Sequence, residues 1–263
     1  MLAGHERHEI SAKKDIPYGS HGMQLLDVHL ADGGGDDLTS VLFFHGGGFV
    51  GGHKNVAGDI LYGNVATYFA KHGMIGVNAT YRLAPDHPWP AGADDAGAAP
   101  SWAWDNISEF GGNPDRIVVM GQSAGATHVA THAFRSDIHG AGGPGCAGII
   151  LMSGIYHLGD GPMAPNYVAY HGKRAPDYAG KVVQGKIDGA KCPVFISIAE
   201  FAPPQFQWSG IGLMNELASG HGNTPRLKML LAHNHIFQGM HIDTDDESLG
   251  AEAVDFIRTC VER

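Results

Sequence analysis

Short runs of consecutive apolar residues recur along the chain and constrain its fold more than any other feature. Six of them are predicted to be strands buried on both faces: Val41–Phe44, Met74–Ala79, Ile117–Met120, Gly148–Met152, Val194–Ala199 and Leu227–Leu231. A weaker alternation over Gln24–Leu30 predicts an edge strand. Helical periodicities lie between the runs, and near the end Thr244 and Glu247 form a candidate capping box. Because buried strands that alternate with helices form parallel sheets, the pattern predicts a doubly wound, mostly parallel α/β sheet flanked by helices.

The length and composition suit a single domain. A chain of 263 residues with 43% hydrophobic residues can bury a sizeable core without disulfide or metal staples. No linker-like tract or internal repeat divides it, so residues 1–263 are predicted to form one domain. The one long stretch without clear periodicity, residues 155–191, is predicted to be a small lid or excursion.

Charge and cysteine usage exclude several classes of partner. The net charge of −10 argues against nucleic acid and anionic membranes, which favour basic surfaces. No run approaches the eighteen or so apolar residues of a membrane span. The first thirty residues are acidic and lack the apolar core of a signal peptide. Three widely spaced cysteines form no disulfide framework, which indicates free thiols in the cytoplasm.

The segment Gly121-Gln-Ser123-Ala-Gly125 is the clearest chemical motif. It lies between a predicted buried strand and an apolar-periodic helix. A Gly-x-Ser-x-Gly sequence in that context is typical of a sharp strand-to-helix turn that presents a nucleophilic serine above a sheet. Both glycines must be small because the two arms of the turn pack against each other. Ser123 would then stand at a helix N-terminus, where backbone N–H groups favour developing negative charge.

A second glycine cluster, His45-Gly46-Gly47-Gly48, follows the buried strand that ends at Phe44. Glycines in this position let the chain turn sharply and leave backbone N–H groups available as an oxyanion hole. A nucleotide-binding turn is the competing interpretation, but the G-x-G-x-x-G pattern opening a helix is not well met.

With these motifs the chain resembles the α/β-hydrolase fold, and within it the hormone-sensitive-lipase-like and feruloyl-esterase-like carboxylesterases. The segment between Ala79 and Ala91 also matches that group, and the order of the motifs agrees over nearly the whole chain. The resemblance implies that the N–H groups of Gly46, Gly47 and Ala124 bind the oxyanion, with only a minimal cap and no cofactor. Arg82 and Asp95 are expected to form a structural ion pair.

In this fold the catalytic residues follow the order serine, acid, histidine. Glu200 is the first carboxylate after the strand Val194–Ala199 and is the expected acid, although the resembling enzymes more often have aspartate there; Asp160 is the reserve candidate. The base is expected after Leu227–Leu231, where three histidines compete. His235 fits best because an aromatic follows it at Phe237, and His241 and His233 remain alternatives.

These residues predict a serine hydrolase that cleaves short-chain or aryl carboxylic esters through an acyl-enzyme. The expected substrate pocket includes Phe49, Gln122, Phe201 and Trp208. The first alternative is an arylformamidase or amidase, acting for example on N-formylkynurenine, and the second is a non-catalytic hydrolase-like binding protein. A catalytic metal held by the clustered histidines is not expected, because it would leave the serine turn unexplained. The expected partner is therefore a small-molecule ester or amide.

Overall fold

The computed structural model describes residues 10–31, 34–57, 60–139, 145–159, 163–173, 178, 180–188 and 192–262. The strands are β1 (Ile10–Pro17), β2 (Leu25–Ala31), β3 (Leu38–Phe44), β4 (Ile75–Ala79), β5 (Gly112–Gln122), β6 (Gly148–Met152), β7 (Val194–Phe201) and β8 (Arg226–Asn234). The α-helices in the described ranges are α1 (Gly63–Lys71), α2 (Ala91–Asn106), α3 (Ala124–Phe134), α4 (Ser136–His139), α5 (Pro165–His171), α6 (Pro204–His221), α7 (Phe237–Met240) and α8 (Gly250–Val261).

The eight strands form one sheet in the order β1-β2-β4-β3-β5-β6-β7-β8. Strand β2 pairs antiparallel with β1 and with β4, and all the other neighbours are parallel. All six predicted runs form strands, and every pairing among them, from β4 through β8, is parallel. Five of the six are buried as predicted, but β8 lies at the edge of the sheet with Leu227, Met229 and Leu231 exposed, so the prediction that it is buried on both faces is wrong. The sheet has the doubly wound, mostly parallel arrangement that the apolar runs predicted.

The prediction that Gln24–Leu30 is an edge strand is wrong. Strand β2 lies inside the sheet, and the edge is β1, which the sequence pattern did not reveal. The side chains of β1 are mostly exposed and polar, so the strand has no apolar alternation to detect. Its place is determined by hydrogen bonds to β2 rather than by burial.

Helices cover both faces of the sheet. Residues of α1 and α8 pack with β3, β5, β6 and β7 in one buried cluster that contains Phe69 and Phe256. Residues of α2, α3 and α6 pack on the opposite face in a larger cluster that contains Phe134 and Leu213. This double cover explains why the central strands consist of continuous apolar residues rather than alternating ones.

The ion pair predicted between Arg82 and Asp95 is confirmed. The guanidinium of Arg82 donates to both carboxylate oxygens of fully buried Asp95 at 2.7 to 3.1 Å, and the Arg82 backbone N–H donates to the same group. The pair ties the segment after β4 to the first turns of α2.

The capping box predicted at Thr244 and Glu247 is wrong. Helix α8 begins at Gly250, after both residues. The Thr244 hydroxyl instead donates to the carbonyl of His241, and Glu247 accepts a hydrogen bond from Tyr68. The two side chains therefore hold the loop before the helix rather than the helix itself.

The predicted excursion, residues 155–191, contains helix α5 in its described part. The ring of Tyr170 in α5 stacks on Phe49 with centroids 4.6 Å apart, and Asn166 donates to the carbonyl of Gly48 at 3.0 Å. The excursion therefore packs directly over the loop that follows β3. Within the described residues, no helix has the length and apolarity needed to cross a membrane.

Candidate active site

Ser123 lies in the turn between β5 and α3, as the motif predicted. Its backbone has a positive φ of 54°, which is a strained conformation for a residue with a side chain. A Cβ at Gly121 would lie 2.6 Å from the carbonyl carbon of Gly125, and one at Gly125 would lie 2.2 Å from the Phe44 carbonyl oxygen. The close approach of backbone to backbone therefore explains both glycines.

His235 is the histidine that meets the serine. Its Nε2 lies 2.9 Å from the Ser123 Oγ, across 112 positions of sequence. The ring packs against Phe206 with centroids 4.0 Å apart. Burial lowers the pKa of His235 from 6.5 to about 4, so the imidazole is neutral near pH 7 and can accept a proton.

Neighbouring side chains hold the loop that carries His235. Gln122 donates to the His235 carbonyl at 2.8 Å, and the Asn234 carboxamide oxygen accepts from the N–H groups of Ile236 and Phe237 as α7 begins. Gln238 is fully buried. It accepts from Ser197 and donates to Ser153, which joins α7 to the ends of β7 and β6.

Sequence reasoning missed the supporting role of these residues. Gln122 was expected in the substrate pocket, but it is fully buried and holds the histidine loop instead. Gln238 lies three positions after His235 in the sequence. A polar residue so close to a predicted base was the one sequence feature that could have indicated its role. Its partners lie 41 and 85 positions away, so the pattern of the sequence could not identify them.

The structure does not bring Glu200 to His235. The Glu200 carboxylate is exposed and accepts a hydrogen bond from the Ala232 N–H at 2.7 Å. The pairing of β7 with β8 changes register here, from Ala199 opposite Leu230 to Phe201 opposite Asn234, so β8 carries two extra residues. Ala232 lies in this bulge with a φ of 61°, and Glu200 satisfies its N–H group.

The Nδ1 atom of His235 is buried and has no hydrogen-bond partner among the described residues. Ala202 follows the last β7–β8 pair on one strand, as His235 does on the other. Ala202 is buried and packs in one cluster with Phe206, the ring that contacts His235. Ala202 and His235 thus share Phe206 as a neighbour, at matching positions beyond the last pair of the two strands. The reserve acid candidate, Asp160, lies outside the described residues.

The two other candidate bases lie elsewhere. His233 and His241 both face the carboxylate of Asp246, at 3.1 and 3.0 Å. Neither has a recorded contact with Ser123. Of the three competing histidines, His235 alone is brought to the serine within the described structure.

The loop after β3 lies beside the serine. A Cβ at Gly46 would lie 3.3 Å from the Ser123 Cβ and 2.6 Å from the Tyr62 hydroxyl, so any side chain there would clash. Gly47 and Gly48 have positive φ values of 144° and 60°. The carbonyl of Gly47 accepts from the N–H of Gly51, which closes the turn. Ala124 is the first residue of α3 and directly follows Ser123.

A buried aromatic cluster supports this loop from behind. His45 stacks on Tyr81 with centroids 4.4 Å apart, and the Tyr81 hydroxyl donates to the His45 carbonyl. Burial lowers the pKa of His45 to about 4 and that of His128, beside Tyr81, to about 3. Phe49 is 2% exposed and packs in this region, so it is a core residue rather than an open wall of a pocket.

A cavity of about 400 Å³ opens between the segment after β6 and helix α6. Its lining includes Ile155, Met163, Tyr167 and Trp208. Ile155 and Tyr167 also pack in the cluster that contains Phe206, the residue whose ring contacts His235. The cavity is therefore connected to the serine–histidine pair through Phe206. Of the expected pocket residues, Trp208 lines the cavity, while Phe201 is 65% exposed at the end of β7.

Comparison with curated proteins identifies similar stretches in named esterases. The carboxylesterase NlhH of Mycobacterium tuberculosis is 44% identical over 102 residues, which span 37% of this chain and 30% of NlhH. The esterase LipI of the same species is 41% identical over 104 residues, which span 40% of this chain and 31% of LipI. The matched region thus covers about a third of the length of these relatives.

Solved structures match over almost the entire chain. Esterase B from Lactobacillus rhamnosis, inhibited by a tributyrin phosphonate, superposes with a TM-score of 0.77 at 18% identity over 96% of this chain and 86% of that one. A truncated carbohydrate esterase from gut microbiota superposes with a TM-score of 0.79 at 15% identity, over 97% and 98%. A family model described as the alpha/beta hydrolase fold matches residues 41–185, which is more than half of the sequence. The chain belongs to the alpha/beta hydrolase fold family.

Proposed function

We propose that the protein is a carboxylic ester hydrolase in which Ser123 is the nucleophile and His235 the general base. The observation that carries the proposal is the 2.9 Å contact between Ser123 Oγ and His235 Nε2, at the strained turn that follows the central strand β5. The names of NlhH and LipI, a carboxylesterase and an esterase, support ester chemistry.

In the proposed reaction, His235 takes the proton of Ser123 as its Oγ attacks the ester carbonyl carbon. The N–H groups of Gly46, Gly47 and Ala124 bind the resulting oxyanion. His235 returns the proton to the departing alcohol, and water then hydrolyses the acyl-enzyme by the same steps. The imidazole of His235 is neutral near pH 7, so its Nε2 has the lone pair that accepts the serine proton.

The proposed substrates are short-chain or aryl esters. The cavity next to Phe206 is lined by Trp208, Tyr167 and Met163. This lining suits a compact apolar or aromatic group. The aromatic lining equally suits an aryl formamide, so arylformamidase activity is the second candidate. The three cysteines form no disulfide in the described structure, which supports a reducing compartment such as the cytoplasm.

The test begins with a fluorophosphonate probe that reacts with activated serines, followed by mass spectrometry of the labelled peptide. Label on Ser123 is expected in the wild type and absent in Ser123→Ala, whose turnover should fall by several orders of magnitude. Ser219→Ala, on the surface of α6, is the matched control and should retain both label and turnover. Activity that survives in Ser123→Ala, or probe label that is absent from Ser123 in the active wild type, would refute the proposal.

One panel then separates the substrate classes. Acetyl, butyryl, decanoyl and feruloyl esters are compared with N-formylkynurenine at equal concentration. A kcat/KM that is highest for acetyl, butyryl or feruloyl esters supports the proposed class. A preference for the formamide moves the assignment to arylformamidase, and no turnover together with no labelling favours a non-catalytic binding protein.

A further inference from the structure

His233, His241 and Asp246 form a cluster next to the loop that carries His235, referred to below as the His-Asp cluster. His233 lies in β8, His241 directly follows α7, and Asp246 lies in the segment that leads to α8. One nitrogen or oxygen of each, of a kind that binds metal ions, lies within 4.8 Å of the others. Three separate segments of chain therefore converge on one point.

His233 is buried, and both of its ring nitrogens face acceptors. Its Nδ1 lies 2.8 Å from the carbonyl oxygen of Leu231, and its Nε2 lies 3.1 Å from the Oδ2 of Asp246. A neutral imidazole has one N–H group, and the carbonyl requires it at Nδ1. The lone pair of Nε2 then points at a carboxylate, with the Ser248 hydroxyl as a distant donor at 3.4 Å. Two occupants can satisfy both atoms: a second ring proton on His233, or a metal cation held between Nε2 and the carboxylate.

Asp246 and His241 complete the donor set. The Oδ1 of Asp246 accepts from the Ser248 N–H, which leaves Oδ2 aimed at both histidines. The Nδ1 of His241 lies 3.0 Å from that Oδ2, and its ring stacks on Phe237 with centroids 4.7 Å apart. The hydrogen bond from His233 Nδ1 to a backbone carbonyl is the outer-shell contact typical of metal-bound histidines.

We propose that the His-Asp cluster binds one divalent transition-metal ion, with Zn²⁺ as its first probe. The ligands are His233 Nε2, His241 Nδ1 and Asp246 Oδ2, and water fills the fourth position. Tetrahedral ligand atoms with bonds of about 2.0 to 2.2 Å lie roughly 3.3 Å apart. The two nitrogen–oxygen separations, 3.1 and 3.0 Å, are close to that value, and the two ring nitrogens lie within 4.8 Å of each other. Two imidazoles and one carboxylate are a donor set that zinc accepts.

The metal's role is structural. It joins β8, the end of α7 and the approach to α8, and so holds both ends of the loop that carries His235. Asp245 and Glu247 flank Asp246 in the chain and add negative charge that favours a cation, whereas the charge of Asp243 is balanced by Lys71 at 2.8 Å. The site takes no part in the ester chemistry proposed above, so each proposal can fail without the other.

The experiment uses the full chain with any affinity tag removed, freed of metal by dialysis against a chelator. Calorimetric titration with ZnCl₂ measures stoichiometry and affinity, and thermal melting measures the stabilisation. Asp246→Asn removes the charged ligand while keeping the shape of the side chain. Asp245→Asn is the matched control, because it makes the same charge change one position away at an exposed residue.

One zinc per chain is expected in the wild type and in Asp245→Asn, with affinity weakened about 10- to 100-fold in Asp246→Asn. Zinc at about 100 times its Kd should raise the Tm by roughly 5 to 10 °C in the first two proteins only. Cobalt substitution should give the absorption bands of a tetrahedral site.

The proposal is overturned if the wild type binds no zinc, or if Asp246→Asn and the wild type bind it equally, which would indicate adventitious binding by other histidines. Should Asp246→Asn fail to fold, His241→Gln at a partly exposed position makes the same test. Fluorophosphonate labelling of Ser123 is expected in metal-free protein. Its absence there and in zinc-loaded protein alike would count against the serine hydrolase and leave the metal site standing.

Discussion

Ala202→Asp is expected to increase the turnover of this protein rather than reduce it. The Nδ1 of His235 is buried and has no hydrogen-bond partner in the described part of the chain, and Ala202 occupies the position after β7 that matches His235 after β8, one residue beyond the last pair. A carboxylate at this position can accept the Nδ1 proton, which selects the tautomer that leaves Nε2 free to act as a base. It also stabilises the imidazolium that forms as Ser123 attacks.

The size of the effect follows from that unsatisfied nitrogen. A hydrogen bond to a charged group contributes about 1.5 to 3 kcal/mol, and leaving a buried donor unpaired costs about 1 to 3 kcal/mol. At about 1.4 kcal/mol per factor of ten in rate, a gain of roughly 10- to 100-fold in kcat is expected. KM should change little, because the new contact forms with the base and not with the substrate.

The assay is steady-state hydrolysis of a butyryl ester by the wild type, Ala202→Asp and Ala202→Asn, with Tm measured for each. Ala202→Asn has the same shape without the charge and should gain far less. Glu200→Gln is the complementary variant and should keep turnover within about threefold, because the amide oxygen can still accept from the Ala232 N–H.

Two results would contradict this reasoning. A folded Ala202→Asp protein with unchanged kcat would mean that position 202 does not reach the base. A loss of about 1,000-fold or more in Glu200→Gln would mean that Glu200 turns to His235 in solution and acts as the triad acid after all.

Three further predictions concern the core and the pocket. Gly125→Ala should lower stability by about 3 kcal/mol or more in thermal or urea unfolding, because its Cβ meets the backbone oxygen of Phe44 at 2.2 Å; Gly220→Ala, which has open space, is the control and should not destabilise. His45 and His128 have pKa values lowered from 6.5 to about 4 and about 3 by burial, so the unfolded chain binds more protons below pH 6.5. Above that pH the two histidines do not reduce the free energy of unfolding, and below it each lowers that free energy by up to about 1.4 kcal/mol per pH unit toward pH 4. An unfolding free energy in urea that is equal at about pH 7.5 and about pH 5 would contradict this. Trp208→Ala should raise KM for aryl esters roughly tenfold with little change for acetyl esters, and an equal effect on both would argue against an aryl pocket.

The nucleophile could be predicted from sequence because its requirements are local. A strained serine needs small neighbours two positions away on each side. Gly121 and Gly125 meet this requirement within a motif of five residues, so the turn can be recognised from the sequence. The turn after β3 is similar, since Gly47 and Gly48 need positive φ values that few other residues adopt. Both features follow from steric limits on the backbone, which act between close neighbours.

The acid could not be predicted in the same way. Glu200 follows a buried strand, as expected, but the direction of its side chain depends on a bulge in a neighbouring strand that begins 26 positions later. Nothing in the local pattern of either segment indicates that bulge. The same limit applies to β1, whose polar residues form a strand only because β2 supplies the hydrogen bonds.

The amino-acid sequence by itself determined the doubly wound sheet, the serine turn and the glycine loop. These features depend on burial patterns and steric limits of the backbone, and both act between residues that are close in the sequence. Only the tertiary structure decided which of three histidines meets Ser123, where Glu200 points, and that His233 and His241 converge on Asp246. Those outcomes depend on distances of a few ångströms between side chains far apart in the chain. The register and bulges of paired strands set such distances, and both arise from contacts between segments rather than within them.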